Sequence, residues 1–239
     1  MSGHSHWATV KHKKGLEDAK RGKIFSKLNR EVSVAVREGG PNPDHNTKLR
    51  MLIEKARQYN MPKDNIERII KKISGGEEAE ILESFLFEMI GPGEAAILIE
   101  GITDNKNRTL GELKRITTKF DAKLVGEGAL KWQFSKKGMI EIEADLTKKE
   151  ELEMTAIEAG ADDIEFGENS MTIYTSPENI DTVRKALEAG GLKVKSFSIV
   201  WVANEEKTIT PEQQASLEKL FEALDDNDDV QELYTNVNF

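Results

Sequence analysis

The sequence predicts an α+β fold of three domains, and three observations support this prediction. Residues 1–77 contain three helical patterns separated by glycine and proline. A later block, 135–202, follows the order strand-helix-strand-strand-helix-strand, which is the order of a ferredoxin-like domain. The helix and strand that remain after it are too few to form a domain alone. We therefore predict a ferredoxin-like domain inserted into an α+β domain made of residues 78–134 and 203–239.

The first 77 residues predict a basic tail followed by a three-helix domain. A helix is expected over 16–38, because apolar residues recur along one side until Gly39 and Gly40 end the pattern. Asp44 or Asn46 is placed to cap a second helix. Pro62 suits the first turn of a third helix, which Gly75 and Gly76 would end. Short links between amphipathic helices are typical of a small helical bundle.

The remaining patterns predict strands alternating with helices. In the α+β domain, two strands flank a tight turn at Gly91-Pro92-Gly93, and a helix capped by Asn107 or Thr109 follows. The strands expected in this domain cover 81–90, 95–100, 130–134 and 230–237, and its helices cover 109–120 and 211–224. The inserted domain is expected to have strands at 139–144, 162–166, 170–175 and 192–202, and helices at 148–159 and 177–189.

Composition narrows the class of protein. No apolar run in the 239 residues is long enough to span a bilayer, and the N-terminus lacks the apolar stretch of a secretory signal, so we expect a cytoplasmic protein. There is no cysteine, which excludes disulfides and thiol nucleophiles. The net charge of −9 is unevenly divided: residues 1–75 contain 17 Lys or Arg and 8 Asp or Glu, a net charge of +9, which leaves −18 for the remainder. The basic part is suited to a polyanion.

The N-terminal cations predict a nucleic-acid-binding site. At about 100° per residue, the five cations on the first helix fall within an arc of roughly 100°, and the apolar residues fall on another arc. Solvated lysines are the ordinary alternative, but clustering on one side favours phosphate contact. Trp7 is suited either to stacking on a base or to anchoring the tail. The predicted site consists of Trp7, Lys11, His12, Lys13, Lys14, Lys20, Lys23, Lys27, Arg30 and Arg37.

The other polar segments indicate a specific binding or catalytic site less clearly. The polar stretch 104–109 between a strand and a helix is interpreted either as a capped loop or as a ligand contact. The acidic residues between Glu218 and Asp229 have no calcium-loop spacing and are typical of a solvated surface. The N-terminal histidines match no metal-ligand spacing. No nucleophile and base can be paired, so we predict no enzyme, no cofactor and no metal site.

Four long segments of the chain resemble one family. The opening MSGHSHWATVKHKKGLEDAKRGKIFSKLNREV, the segment MPKDNIERIIKK, the turn GPGEAAILIEGITDNKNRTLGELK and the ending YTNVNF are similar to the YebC/PmpR family. The resemblance covers essentially the whole chain. It implies a helical N-terminal domain, two α+β domains with the third inserted into the second, and a probable role as a transcriptional regulator. Mitochondrial relatives in this family act as translational activators.

Two hypotheses for function remain open, with a third from another class. The chain is expected to be a DNA-binding transcriptional regulator or, alternatively, a translation factor that binds rRNA and ribosomes. The acidic domains would then face transcription or ribosomal proteins. A metal-dependent hydrolase using Asp225 and Asp228 is a further alternative, and a pure protein-interaction adaptor is another. The nucleic-acid hypothesis requires that the helix cations be open to a partner rather than bound to the protein's own carboxylates. The sequence predicts neither the oligomeric state nor the recognised sequence.

Overall fold

The chain is a mixed α+β protein, which confirms the predicted class. The computed structural model describes residues 18–75 and 81–238, with side chains from residue 21 onward. The helices are α1 (Asp18–Gly39), α2 (Thr47–Gln58), α3 (Lys63–Ser74), α4 (Lys106–Thr117), α5 (Lys149–Glu158), α6 (Ile180–Ala189) and α7 (Pro211–Asp225). The strands are β1 (Glu83–Gly91), β2 (Ala95–Thr103), β3 (Lys123–Val125), β4 (Phe134–Glu143), β5 (Asp163–Phe166), β6 (Ser170–Thr175), β7 (Val194–Ala203) and β8 (Val230–Thr235).

The described residues form two compact units. One is Ser135–Val202, and the other contains the residues on both sides of it. The first unit has the sheet order β5-β6-β4-β7, with α5 and α6 supplying Leu152, Val183 and Leu187 to its core. Of the described helices, none is long and apolar enough to cross a membrane. The division of the whole chain into three domains stays a prediction.

Helices α1–α3 pack through the apolar stripes expected from sequence. Val32 on α1 and Leu49 on α2 lie in one buried cluster, against which Ile69 and Ile73 of α3 pack. Asn46 caps α2, since its side chain accepts a hydrogen bond from the backbone N–H of Leu49 at 3.0 Å. Burial of these stripes leaves Arg68, Lys71 and Lys72 of α3 exposed on the outer side of the helix.

The second unit also contains a four-stranded sheet of order β3-β1-β2-β8. Strands β1 and β2 form an antiparallel hairpin in which Glu83 pairs with Thr103 and Gly91 pairs with Ala95. Helices α4 and α7 cover one face, where Leu113 and Phe221 are fully buried against the sheet. This packing places the C-terminal end of α7 and the start of β8 beside the end of β2, where Ile102 N–H donates to the Asp229 carbonyl at 2.8 Å.

Two expectations for this unit are wrong. The predicted strand at 130–134 is a short 3-10 turn over Lys131–Gln133. The buried Glu88 carboxylate accepts hydrogen bonds from the backbone N–H groups of Leu130 and Lys131, so these groups do not enter a sheet. Helix α4 begins three residues earlier than predicted, and its cap is Asn105 rather than Asn107 or Thr109. The Asn105 side chain accepts from two backbone N–H groups of the first turn, both at 3.1 Å.

Two glycines in this unit are expected to respond to alanine in opposite ways. A Cβ at Gly101, where the β2–β8 register shifts, would lie 2.1 Å from the Phe85 ring and 2.3 Å from the Asp229 carbonyl oxygen. Gly101→Ala should therefore lower the free energy of unfolding by about 1–3 kcal/mol. Gly111, on the open side of α4, has nothing within 4 Å, so Gly111→Ala should raise it by about 0.5–1 kcal/mol. Urea unfolding measures both, and equal stability of the two variants would contradict this account.

Candidate nucleic-acid interface

The structure describes part of the predicted nucleic-acid site. Five of its residues lie outside the described residues, and a sixth, Lys20, has a described backbone but no described side chain. The five are Trp7, Lys11, His12, Lys13 and Lys14. Binding of nucleic acid by these residues stays a prediction. Arg37 is exposed near the end of α1.

Lys23, Lys27 and Arg30 of α1 contact carboxylates at the end of α7. Lys23 Nζ lies 3.0 Å from Asp226 Oδ1, and Lys27 Nζ lies 2.9 Å from Asp225 Oδ1. Arg30 Nη1 donates to Asp229 Oδ1. We call this set of three cations and three aspartates the clasp.

The end of a helix adds to the attraction within the clasp. Lys23 and Lys27 also donate to the carbonyl oxygens of Asp226 and Asp225, at the C-terminus of α7. Unpaired carbonyls and the helix dipole make this end negative, so it attracts cations as the aspartate side chains do. The Lys27 and Asp225 side chains are only 11% and 19% exposed, so solvent screens this pair less than a surface ion pair.

The clasp corrects the expectation of an open cationic face on α1. Three of its five predicted helix positions meet the protein's own carboxylates in this structure. The acidic end of the chain was interpreted as a solvated surface, and that interpretation is wrong for Asp225 and Asp229, which are 19% and 5% exposed, while Asp226 remains 83% exposed. Helical periodicity places residues on one side of a helix but does not say which surface that side meets. Nucleic-acid binding by these three cations stays a prediction.

Asp229 joins the clasp to the polar stretch 104–109. Its carboxylate is 5% exposed, and Oδ2 accepts hydrogen bonds from the hydroxyls of Thr103 at 3.0 Å and Thr109 at 2.6 Å. Arg108 Nη2 lies 3.3 Å from the same oxygen. Burial by itself raises the pKa of Asp229, but the hydrogen bonds from Thr109, Arg30 and the other donors together lower it. Part of the stretch 104–109 therefore holds a buried carboxylate in its ionised form.

A second buried charge cluster joins α1 and α2 to β8. Lys55 Nζ lies 2.7 Å from Glu232 and 3.2 Å from Glu31. Burial raises the pKa of Glu31, although the Lys55 charge opposes this shift. Burial lowers the pKa of Lys55 by itself, but the charges of Glu232 and Glu31 raise it above its ordinary value. One ammonium group thus forms ion pairs with two carboxylates, and no role for any of the three residues was predicted from the sequence.

Three further exposed cations lie on α3 and were not predicted from the sequence. The outer side of this helix carries Arg68, Lys71 and Lys72, all exposed, while Ile66 is buried and Ile70 packs on the helical core. At about 100° per residue the three fall within an arc of roughly 100°. Within the described residues none of them makes an ion pair. The α3 cations recur at helical spacing, as those of α1 do, but only the isoleucine stripe of α3 was interpreted from the sequence.

Asp225, one of the two aspartates considered for a metal-dependent hydrolase, belongs to the clasp. Asp225, Asp226 and Asp229 each contact a cation of α1. Within residues 18–75 and 81–238, no group of three or more His, Asp or Glu side chains is placed to hold a metal ion. Of the two aspartates named for a hydrolase, Asp225 forms an ion pair with Lys27, whereas Asp228 is exposed.

Comparison with known proteins identifies the family. A model of the TACO1/YebC N-terminal domain matches residues 5–76, and a model of the TACO1/YebC second and third domain matches residues 82–237. The chain belongs to the TACO1/YebC family. The matches to both domain models confirm the resemblance found in the sequence of this TACO1/YebC protein. The match at residues 5–76 includes α1–α3 and their exposed cations.

Similar proteins span nearly the same length as this TACO1/YebC chain. A probable transcriptional regulatory protein of Trichlorobacter lovleyi is 44% identical over 99% of this chain and 95% of its own length. One of the same description from Fervidobacterium nodosum is 46% identical over 99% and 93%. The crystal structure of a conserved hypothetical protein from Aquifex aeolicus has a TM-score of 0.88 and 43% identity, covering 98% of this chain and 97% of that one.

Proposed function

We propose that this chain is a nucleic-acid-binding regulator of transcription that contacts the phosphate backbone of duplex DNA through its N-terminal helices. The observation that carries this proposal is the outer side of α3, where Arg68, Lys71 and Lys72 are exposed and form no ion pair within the described residues. Relatives of nearly equal length are named probable transcriptional regulatory proteins, which supports a role in transcription. Residues 1–75 carry a net charge of +9, so this end of the chain attracts a polyanion.

The predicted tail residues Trp7, Lys11, His12, Lys13 and Lys14, with Lys20 and Arg37, belong to the same proposal as further contacts. Lysine and arginine contacts to phosphate carry no base information, so affinity should depend strongly on salt and weakly on sequence. In this structure Lys23, Lys27 and Arg30 have a structural role. Their ion pairs hold α1 against the end of α7, and phosphate would have to compete with three aspartates for them.

We further infer the three-domain organisation implied by the resemblance, with the unit Ser135–Val202 as a ferredoxin-like domain. Its strand order, β5-β6-β4-β7, supports this inference, because it is the order expected of the split strand-helix-strand unit. This unit contains 8 Lys or Arg and 14 Asp or Glu, so nucleic acid is not its expected partner. We propose that its role is to bind a protein of the transcription or translation apparatus, and that the chain acts by binding rather than by catalysis.

Neutralising the α3 cations tests the proposal. The variant Arg68→Gln, Lys71→Gln and Lys72→Gln is expected to bind a fluorescent DNA duplex about tenfold more weakly, because phosphate contacts are lost. The slope of log affinity against log salt should flatten by about 0.9 for each lost contact. Fluorescence anisotropy over a salt series measures both. The matched control is Lys148→Gln, Lys185→Gln and Lys219→Gln, three exposed lysines elsewhere that make no ion pair within the described residues.

Three outcomes of this experiment separate the alternatives. No binding of either duplex DNA or structured RNA by the wild-type chain would reject the proposal in favour of a protein adaptor. Tighter binding of structured RNA than of DNA at the same salt would replace transcription by translation. An equal loss of affinity in the α3 variant and in the control would show that net charge, rather than this surface, governs binding.

A further inference from the structure

A second group of cations lies in the α+β part of the chain, at the C-terminal end of α4 and on the edge strand β3. Lys114 and Arg115 are in the last turn of α4, Lys119 follows the helix, and Lys123 begins β3. All four side chains are exposed. We call these four residues the helix–edge surface.

A tight turn connects the elements that carry the four cations. After α4 ends at Thr117, the backbone N–H groups of Phe120 and Ala122 both donate to the Thr117 carbonyl, at 3.1 and 3.3 Å. Asp121 in this turn has a φ of 50°, which reverses the chain direction. Lys123 then pairs with Ile90 of β1, so the edge strand starts beside the end of the helix. The cations therefore lie on the last turn of α4, a hydrogen-bonded turn and the start of β3, which follow one another directly.

The same turn determines which side chains face solvent. The apolar residues that alternate with the four cations pack on the core of the unit, and they are Ile116, Phe120, Ala122 and Leu124. Lys114, Arg115, Lys119 and Lys123 are therefore left on the outer side. Asp121 is the one acidic residue between Leu113 and Gly126. The outer side has a local excess of three positive charges.

Pairing elsewhere in this part of the chain makes the cluster distinctive. The described residues 81–134 and 203–238 contain nine Lys or Arg. Three of the nine form ion pairs: Lys106 with Glu83, Arg108 with Asp104 and Lys207 with Glu94. Lys131 has another interaction. Of the five that make no ion pair within these residues, four form the helix–edge surface.

Two general effects account for single cations but not for the group. A lysine on an edge strand discourages pairing with another sheet, which is sufficient for Lys123. Cations in the last turn of a helix interact favourably with its dipole, which is sufficient for Lys114 and Arg115. Neither effect calls for four cations in ten residues with only one carboxylate among them. Mutual repulsion makes such a group costly unless a polyanion neutralises it.

We propose that the helix–edge surface is a second phosphate-binding surface, which contacts the nucleic-acid backbone at a place separate from the N-terminal helices. This inference rests on the proposed function. The surface consists of lysines and one arginine, and Gly111 leaves the middle of α4 without a side chain. Such a surface fits a phosphate backbone rather than base edges. Two separate basic surfaces would let one chain hold a longer stretch of nucleic acid than either surface alone, and they would add their salt dependences.

The test compares three full-length variants with the wild-type chain. The helix–edge variant carries Lys114→Gln, Lys119→Gln and Lys123→Gln, and the other two are the α3 variant and the three-lysine control defined above. The probes are a fluorescent DNA duplex, a fluorescent RNA hairpin and fluorescent polyglutamate over a salt series. The helix–edge variant is expected to bind the preferred probe about tenfold more weakly, with a slope flatter by about 0.9 for each lost contact. Combining it with the α3 variant should lower affinity and slope further.

The outcomes separate this inference from the proposed function. Weaker binding by the α3 variant with unchanged affinity and slope in the helix–edge variant would overturn the second surface and leave the first intact. Equal weakening in the helix–edge variant and the control would also overturn it. Unchanged nucleic-acid binding together with lost binding of polyglutamate would assign the surface to an acidic protein instead. Circular dichroism and urea unfolding verify that the helix–edge variant is folded, and Arg115→Gln alone supplies a milder variant if it is not.

Discussion

Replacing Asp229 by alanine is expected to lower the free energy of unfolding of the unit that contains α1 and β8 by about 3–5 kcal/mol. The Asp229 carboxylate is nearly inaccessible and accepts hydrogen bonds from Arg30, Thr103 and Thr109, and Arg108 lies beside it. Its removal takes the charged acceptor away from a partly buried guanidinium, which keeps only backbone carbonyl contacts, and from the hydroxyls of Thr103 and Thr109. Urea unfolding followed by circular dichroism measures the loss.

The neighbouring Asp228→Ala is the matched control. Asp228 is exposed and contributes its backbone carbonyl to Arg30, at 3.2 Å, a contact that alanine retains. The control should therefore unfold within about 0.5 kcal/mol of the wild-type chain. Equal effects of the two substitutions would contradict the role assigned to the Asp229 carboxylate.

The pH dependence of stability gives a second test of Asp229. Its pKa in the folded chain is below the ordinary aspartate value of 3.8, because the hydrogen bonds outweigh the effect of burial. The stabilisation is therefore present above that ordinary value and is lost as pH falls through the lower folded-state pKa. Asp229→Asn should remove this part of the acid unfolding curve, and a curve identical to that of the wild-type chain would reject the assignment.

Replacing Lys55 by methionine is expected to destabilise the contact between α1–α2 and β8 by roughly 3 kcal/mol at neutral pH. The substitution leaves Glu31 and Glu232, which are 12% and 19% exposed, without the cation that both contact. We place the loss at the lower end of the range for buried pairs, because 32% of the Lys55 side chain reaches solvent. Lys48→Met, which breaks an exposed pair with Glu38, should cost less than about 1 kcal/mol.

The loss in free energy of unfolding caused by Lys55→Met should be smaller at acidic pH. Burial raises the pKa of Glu31, so the folded chain takes up a proton at this residue at a higher pH than the unfolded chain does. That difference favours the folded state as pH falls towards the ordinary glutamate pKa. Urea unfolding at pH 7 and at about pH 5 should show a smaller loss at the lower pH. A loss that is equal or larger at pH 5 would mean that the two carboxylates are not the cause.

The two charge clusters join the N-terminal helices to the sheet β3-β1-β2-β8 within one compact unit. Asp229 and Glu232 lie three residues apart, at the start of β8, and each binds a cation of α1 or α2. The same carboxylates that hold the helices also lower their effective positive charge towards a partner. The exposed cations of α3, and those of the helix–edge surface, are not subject to that compensation within the described residues.

Much of the secondary structure followed from local patterns. The strand at 170–175 and the helix over 211–224 were predicted nearly residue for residue. In the structure Thr210 and Gln213 form a capping box at the start of α7, which is a strong local determinant of where that helix begins. The start of α4 was misplaced because three side chains of its first turn are possible caps. In the structure Asn105 is the cap, because its side chain accepts hydrogen bonds from the N–H groups of Asn107 and Arg108, while the Thr109 hydroxyl donates to buried Asp229. The predicted strand at 130–134 is absent because Glu88, 42 residues before Leu130, accepts the hydrogen bonds of its backbone N–H groups.

The sequence by itself determined the α+β class, the three amphipathic N-terminal helices and the concentration of positive charge in residues 1–75, because each depends on periodicity or composition. Only the tertiary structure decided which cations remain available. Electrostatic pairing depends on distances between residues about two hundred positions apart, such as Lys27 and Asp225 at 2.9 Å. Helical spacing carries no information about those distances. The same lysine pattern therefore forms an intramolecular contact on α1 and an exposed surface on α3.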